Sequence, residues 1–450
     1  MSIPRCLITA GMAAALLLPR AAAAQAPSGT FFPYPVHEKK LANGLTVIVV
    51  PMPGSGLASI RTVVRTGSRD EYERGHTGFA HFFEHMMFRG TKKMSAEERE
   101  RVVTQMGAAT NASTDDDLTV YQFDIAAEDL ERVMELESDR FMNLFYAKPA
   151  FQTEAGAVYG EYRKTRASPE FQLIEKLVGV AFKKHTYSHT TIGYEKDIAA
   201  MPSQFEYSRK FFQRYYRPEN TVLLIVGDVD PAASHALAAK YWSSWKKGYV
   251  PPKIPREPEQ TAERKVEVTY QGKTLPIIAL AYKGGAFAPD DLDWVSSQVL
   301  AEVAFGETSA LYKKLVLDER IVQELEAQPS RSRDPGLFGI YAVVSDPTKV
   351  NEVRAALEAA IASARTELAD ARKVADVVSH MRYQFLLSLA TPEDVSDQLS
   401  RYAALTGGVA VVDQLFGALT KVTPESVRAS ADKLLDPRRR TVGILREKGQ

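Results

Sequence analysis

The stretch GHTGFAHFFEHMMFRGT (75–91) limits the possible folds of this chain most, because it places three polar side chains in an otherwise apolar helix. At about 100° per residue, His81, Glu84 and His85 share one helix face, and phenylalanine and methionine fill the rest of the circumference. Two imidazoles and a carboxylate directed into an apolar interior are unfavourable unless a partner satisfies them. The pattern therefore predicts a buried helix with one ligand-binding face.

A zinc ion would satisfy these side chains, because histidines four residues apart can both bind one tetrahedral centre. The spacing H-x-x-E-H inverts the H-E-x-x-H motif, and in both the glutamate acts as a base toward water instead of binding metal. The alternative is a hydrogen-bonded pair of core histidines with Glu84 in a salt bridge. We predict one Zn²⁺ per chain, bound by His81 and His85, with Glu84 as the catalytic residue.

A catalytic zinc takes three protein ligands and keeps one open position, so a third ligand must come from another element. The stretch FQTEAGAVYGEYRK places Glu154 and Glu161 on one face of a predicted helix. Gly156 and Gly160 lie between them and predict the close approach of a neighbouring element. Periodicity does not choose between the two glutamates, and either could be a solvated surface residue.

The proline-rich stretch 247–262 separates two regions that repeat one order of predicted strands and helices. Its four prolines are incompatible with a helix or a central strand. Strand pairs followed by helix pairs indicate an α+β fold with largely antiparallel sheets. We predict an N-terminal half at 35–246, a linker at 247–262 and a C-terminal half at 263–447.

Residues 1–24 have the pattern of a signal peptide: Arg5, the apolar run Cys6–Leu18 and small residues up to Ala24. The run is too short to span a bilayer, and no later segment has the length and composition of a membrane span. We therefore expect secretion, with the periplasm of a Gram-negative bacterium as the destination. Basic and acidic residues balance at 56 each, which argues against nucleic acid as the main partner.

Three features resemble the pitrilysin/insulinase family of zinc peptidases, in the shorter branch related to mitochondrial processing peptidase: TGFAHFFEHMMFRGTKK, GAATNASTDDDLTVYQF and Glu161 76 residues after His85. The resemblance implies two homologous α/β-roll halves, each a mostly antiparallel sheet flanked by helices, arranged as a clamshell. It implies that His81, His85 and Glu161 bind the metal and that Glu154 is a supporting carboxylate.

The resemblance also extends to substrate binding. Asn111 and Ala112 match residues on the family's edge strand, where a peptide substrate binds by β-augmentation. The C-terminal half departs from the catalytic pattern, since Val316 and Gln323 occupy the positions of a catalytic Arg and Tyr, and Ala310 replaces another Arg. Neither valine nor alanine can replace a guanidinium group.

We therefore predict a zinc endopeptidase acting on peptides or unfolded polypeptides, as the zinc-bearing subunit of a heterodimer. Its homologous partner would lack the zinc motif and supply the missing Arg and Tyr; a homodimer is the alternative. Other possibilities are a non-catalytic scaffold or assembly subunit with this fold, favoured by Val316 and Gln323, and a metal hydrolase for non-peptide substrates. The complete set of His81, His85, Glu84 and Glu161 favours the peptidase, because a scaffold needs no such cluster.

Overall fold

The computed structural model describes residues 30–449, so the predicted signal peptide at 1–24 lies outside the described residues. The first half of the chain forms a six-stranded sheet with the spatial order β1-β2-β6-β3-β5-β4. All neighbours are antiparallel except β2 and β6. The strands are β1 His37–Lys40, β2 Thr46–Pro51, β3 Leu57–Val64, β4 Ala109–Thr114, β5 Thr119–Ala126 and β6 Thr221–Gly227.

Eight α-helices lie within residues 30–246. They are α1 Phe79–Met86, α2 Ala96–Gln105, α3 Leu130–Asn143, α4 Lys148–Thr165, α5 Pro169–Ala181, α6 Glu195–Ala200, α7 Phe205–Tyr215 and α8 Pro231–Trp242. Several begin at side chains that satisfy free backbone amides: Ser95 and Glu98 form a capping box at α2, and Ser168 caps α5. The helix predicted within the stretch 75–91 is α1, and it ends at Met86.

The second half forms a five-stranded sheet with the order β7-β11-β8-β10-β9, in which only β7 and β11 are parallel. The strands are β7 Arg264–Tyr270, β8 Ile277–Lys283, β9 Val322–Gln328, β10 Leu337–Val344 and β11 Arg440–Glu447. The helices are α9 Leu292–Phe305, α10 Ala310–Tyr312, α11 Val350–Thr366, α12 Ala371–Leu387, α13 Pro392–Thr406, α14 Val411–Leu419 and α15 Pro424–Leu434.

The two sheets repeat one topology. The order β2-β6-β3-β5-β4 in the first corresponds strand for strand to β7-β11-β8-β10-β9 in the second, and β1 is an extra edge strand. Each sheet has a single parallel pair at the equivalent position. The predicted fold class, two largely antiparallel sheets flanked by helices in two halves, is confirmed.

Two helices exchange places between the halves. Helix α5 packs on β7 and β11 of the second sheet, whereas α13 packs on β3 and β6 of the first. The approach of α5 is close, since a Cβ added to Gly443 would lie 2.8 Å from Leu177 and 3.0 Å from Leu173. One hydrophobic core therefore includes residues of both sheets, with β2, β6 and α13 in the same cluster.

Buried polar contacts also join the halves. The Arg61 side chain on β3 is fully buried, and its guanidinium donates to Asp124 at 3.0 Å and to Asp397 of α13 at 2.8 Å. The loop before β10 contributes Arg333, whose backbone amide donates to Asp117 at 2.8 Å and whose side chain donates to backbone carbonyls of both halves. The two halves of the sequence therefore do not pack as two separate units, because each sheet is covered in part by a helix of the other half.

No single helix within residues 30–449 is long and apolar enough to cross a membrane. Helices α13 and α14 meet the length and composition together, but a bend of 98° separates them, and both contribute many buried side chains to the core.

Candidate metal centre

The start of α1 is fixed by a buried carboxylate. Glu71 accepts hydrogen bonds from the backbone amides of Gly78 and Ala80, each at 2.7 Å, and so satisfies donors that a helix N-terminus leaves free. Gly78 has a φ of 89°, and an added Cβ would lie 2.7 Å from the carbonyl oxygen of Ile192, so only glycine fits there. These contacts set the direction in which α1 presents its polar face.

The apolar side of α1 is buried as the sequence predicts. Phe79, Phe82, Phe83 and Met86 have no exposed surface. The polar face is more open than expected, because the side chains of His81 and His85 keep 12% and 27% of their surface exposed. The helix therefore anchors itself in the core while its polar face remains accessible to a ligand.

The donor atoms of this face converge. The ligand atoms of His81, Glu84 and His85 lie within 4.8 Å of one another. Oε2 of Glu161, on α4, lies 3.7 Å from Nε2 of His81 and 3.4 Å from Nε2 of His85. Two ligands about 2.1 Å from one tetrahedral ion are about 3.4 Å apart. Two neutral imidazoles and a carboxylate at this spacing therefore fit a zinc ion.

Glu154 and Glu161 sit on different sides of His85. Glu154 is buried, and its Oε1 lies 2.9 Å from Nδ1 of His85, the ring nitrogen that faces away from Glu161. The guanidinium of Arg89 holds the other carboxylate oxygen of Glu154. A carboxylate on the outer ring nitrogen fixes the tautomer in which the inner nitrogen is free to bind metal.

Glu84 is held by a residue of the edge strand. The hydroxyl of Thr114, at the end of β4, donates to Oε2 of Glu84 at 2.6 Å. Because side chains alternate along a strand, Thr114 shares a face with the buried Ala112, whereas Asn111 lies on the opposite face and is exposed. The second carboxylate oxygen of Glu84 makes no hydrogen bond to residues 30–449.

Burial and neighbouring charge shift the pKa values of this face in opposite directions. Burial, with a smaller effect of His85, lowers the pKa of His81 to about 4, so this imidazole is neutral at neutral pH. The hydrogen bond that His85 Nδ1–H donates to the Glu154 carboxylate raises the pKa of His85. Burial raises the pKa of Glu84, and the Thr114 hydrogen bond opposes that rise. Such divergent shifts within one cluster are typical of catalytic sites.

The substrate residues predicted from the resemblance lie on β4, which pairs on one side with β5 and runs beside α1. β4 is the last strand of its sheet among residues 30–449, so its other edge has no strand partner there. The amide oxygen of Asn111 accepts a hydrogen bond from the backbone N–H of Ala112 at 2.9 Å.

The three positions of the second half that depart from the family pattern lie in successive elements that lead into β9, the edge strand of the second sheet. Ala310 begins α10, Val316 lies in the π-helical segment Lys313–Asp318 that follows, and Gln323 is exposed on β9. Val316 packs partly against the core through its apolar side chain.

One detail of the sequence-based prediction is wrong. A Cβ added to Gly156 or Gly160 of α4 would meet no atom within 4 Å among the described residues. No element of the described chain therefore approaches these glycines closely. Two residues of the site were also missed. Arg89 lies four positions after His85, and this helical spacing could have indicated that the two side chains are neighbours. Thr114 lies two positions after Ala112, so the alternation of a strand could have placed both on one face.

Comparison with known proteins shows which family this chain resembles. Residues 46–195 match the family model described as insulinase (peptidase family M16), and residues 204–379 match the model described as peptidase M16 inactive domain. The zinc protease PqqE of Helicobacter pylori is 28% identical over 82% of this chain and 83% of its own length. The mitochondrial-processing peptidase subunit beta of Lentinula edodes is 25% identical over 88% and 86%.

A solved structure agrees with these sequence matches. The crystal structure of a protease from Helicobacter pylori superposes with a TM-score of 0.86 at 25% identity, covering 92% of this chain and 99% of that one. The agreement covers both halves of the fold. This chain belongs to the insulinase family, peptidase family M16.

Proposed function

We propose that this chain is a zinc-dependent endopeptidase that hydrolyses peptides or unfolded polypeptides. The observation that carries the proposal is the convergence of three donor atoms, Nε2 of His81, Nε2 of His85 and Oε2 of Glu161. A relative named as a zinc protease supports the choice of metal. Glu154 orients His85, and Arg89 positions Glu154.

Glu84 serves as the general base. When bound, zinc would lower the pKa of a water molecule and polarise the carbonyl group of the substrate. Glu84 would take a proton from the attacking water on its free oxygen, while Thr114 holds the other oxygen. The same carboxyl group would then give the proton to the leaving amine nitrogen. Its raised pKa suits both steps, because base and acid forms are then both accessible.

The substrate would bind as an added strand on β4, with its backbone beside Asn111 and Ala112. The unpartnered edge of β4 supports this mode, because an extended peptide can satisfy an open sheet edge with main-chain hydrogen bonds. The contact between Thr114 and Glu84 would place the scissile bond next to the base. This arrangement favours peptides over small non-peptide substrates.

The second half would act with a partner. Val316 and Gln323 provide no guanidinium or phenol at the edge where the resemblance expects them. A homologous subunit without the zinc motif would supply these groups in a heterodimer, as the name of the related processing peptidase subunit also suggests. The limits 35–246 and 263–447 of the two halves, and export through the leader at 1–24, are parts of this proposal.

Metal content and peptide cleavage measured together test the function. The purified chain should contain one zinc per chain and cleave a quenched peptide; a chelator should abolish cleavage and added Zn²⁺ should restore it. Cleavage that survives complete removal of metal would contradict the proposal. Stoichiometric zinc without any cleavage, alone or with a co-expressed homologue, would instead favour the scaffold.

The partner is tested by activity with and without a homologue lacking the zinc motif. We expect the pair to cleave at least about 10-fold faster than the lone chain, because one preorganised donor to a developing oxyanion contributes about 10²–10³ in rate. Equal activity of the lone chain and the pair would rule out the heterodimer.

A further inference from the structure

A large basic cavity lies on the first half, outside the metal centre. It has a volume of about 1050 Å³ and lies among α3, α7, α8 and the loops that follow α1 and α3. Eight lysine and arginine side chains line it, against two carboxylates, Glu135 and Asp139. The whole chain has equal numbers of basic and acidic residues, so this local excess does not follow from composition.

Two of these cations are buried and share one carboxylate. Arg99 and Arg140 are 5% and 1% exposed, and both face Glu137: Arg99 at 3.6 Å and Arg140 through a short ion pair. Two nitrogens of each guanidinium have no hydrogen-bond partner among residues 30–449. Burial and the neighbouring Arg140 lower the pKa of Arg99 to about 10. Within residues 30–449, Glu137 is the only carboxylate within 4 Å of either guanidinium, and Glu100 acts on Arg99 only from a greater distance.

Aromatic rings compensate this charge in part. The Arg140 guanidinium lies 4.8 Å from the ring centre of Tyr121 and 5.2 Å from that of Phe88, and Arg99 lies 5.4 Å from Phe88. Cation–π contacts stabilise a guanidinium but supply no acceptor for its N–H groups. Burial of the guanidinium nitrogens that Glu137 does not reach therefore remains unfavourable without a further acceptor.

Further cations around the cavity are free to meet a ligand. The neighbouring Arg214 and Lys240 pair with Glu73 and Glu131. In contrast, Arg209 and Lys246 form no ion pair with a carboxylate of residues 30–449, and Arg217 donates to the backbone carbonyls of Gln213 and Lys246. These side chains come from α7, from the loop after it and from the segment that follows α8. Cations that approach one cavity from separate elements suit a ligand with several negative groups.

We propose that this cavity binds a small molecule with two or more phosphate groups. Arginine matches phosphate because its planar fork can donate two parallel hydrogen bonds, and each phosphate carries up to two negative charges. The volume is at the upper end of the range of small-molecule sites. The floor includes Tyr216, whose hydroxyl bonds the Tyr121 hydroxyl at 2.6 Å, and no proposed zinc ligand lines the cavity.

Calorimetric titration of the full chain with inorganic tripolyphosphate at physiological salt tests the proposal. Trp245 lines the cavity, so its fluorescence gives a second signal. We expect saturable binding at one site per chain. The double variant Arg209→Ala, Lys246→Ala should weaken it by about 10-fold or more, because two charged contacts are lost. Neither residue belongs to the buried core, so this variant should fold.

The matched control is Lys421→Ala, Arg428→Ala, which removes two exposed cations of the second half and should leave binding unchanged. The same double-variant series in zinc-loaded protein excludes chelation as the source of the signal, since all variants retain the metal-binding residues. Absence of saturable binding, an equal loss in both double variants, or equal affinity for citrate would overturn the assignment of a phosphate site.

Discussion

The two halves share a strand order but differ in what their first long helix presents. In the first half α1 combines a fully buried phenylalanine side with His81, Glu84 and His85. In the second half α9 follows the equivalent strand and is buried around most of its circumference, with ten buried residues and no histidine. The comparison shows that each half needs a helix after this strand to cover its core, but that the helix needs no metal-binding side chains.

The difference has an energetic basis. The buried polar residues of α9 are uncharged, and Ser296, Ser297 and Gln298 all find hydrogen bonds inside the fold. The charged face of α1 is tolerated because it is partly open and because Thr114 and Glu154 satisfy it. The first half thus keeps a cluster that costs stability unless it binds something, which is typical of a site retained for chemistry.

The largest expected effect is on peptidase activity, and it compares a substitution in the first half with one in the second. Glu84→Gln should lower kcat/KM by about 10²–10⁴, because the variant loses the general base but keeps both histidines. Zinc content should not change. The matched control is Glu302→Gln on α9, which should retain full activity in the same quenched-peptide assay. A comparable loss in both variants would mean that the chemistry is not confined to the first half.

The exchanged helices predict that the halves unfold together. Leu173→Ala on α5 and Leu399→Ala on α13 should each lower the free energy of unfolding by about 2–5 kcal/mol, because both side chains are fully buried. Each variant should keep a single denaturant transition. Leu387→Ala, at a 72% exposed position, is the control and should change little. Two separate transitions would show that the halves are independent.

The carboxyl group of Asp70, near the contact between the two halves, predicts that the stability of the fold depends on pH. Burial raises the pKa of Asp70 to about 6, although Arg333 of the other half and Arg69 oppose the rise. The folded state therefore holds this proton up to about pH 6, whereas the unfolded chain releases it near pH 4. The contribution of Asp70 to stability thus falls as pH rises through this window, by at most about 3 kcal/mol.

The variant Asp70→Asn lacks this titration. Urea unfolding of metal-free protein at pH 4 and pH 7 should show a smaller loss of stability with rising pH in Asp70→Asn than in the parent. Shifted carboxyls that do not interact with Asp70 are common to both proteins and cancel in the comparison, whereas Asp70 itself contributes to the raised pKa of Glu71. Identical pH dependence in the two proteins would contradict the assignment.

The second half can be tested by restoring a family residue. Gln323→Tyr should raise kcat/KM of the lone chain by about 10-fold or more, because a preorganised donor at that edge stabilises developing negative charge. Gln328→Tyr, an exposed position further along β9, is the control. If neither substitution changes the rate, position 323 does not face the substrate in the lone chain.

The last prediction concerns the residue that supports the metal ligands indirectly. Arg89→Ala should weaken zinc binding by about 10–100-fold, because Glu154 loses the partner that positions it against His85. Arg89→Lys should recover part of the affinity. The control Arg163→Ala removes an exposed arginine of α4 and should leave zinc affinity unchanged in a competition assay. Unchanged affinity in Arg89→Ala would remove this residue from the site.

Strands were harder to predict than helices. The central strands β2, β3, β6, β8, β10 and β11 and most long helices follow from their apolar patterns. β9 was not predicted, because its sequence VQELEAQ is rich in residues that favour helices, and its pairing with β10 overrides that preference. β1 is short and exposed throughout, so it carries no hydrophobic signal.

The sequence by itself determined the α+β class and the polar face of α1, because both depend on periodicity within one element. Only the tertiary structure distinguishes the roles of Glu154 and Glu161, which share a helix face. Because of the way α4 packs against α1, Glu154 lies beside Nδ1 of His85 and Glu161 lies beside Nε2. The exchange of α5 and α13 and the basic cavity likewise join residues far apart in the chain. Periodicity specifies which side of an element is buried, but the partner on that side depends on how the elements pack.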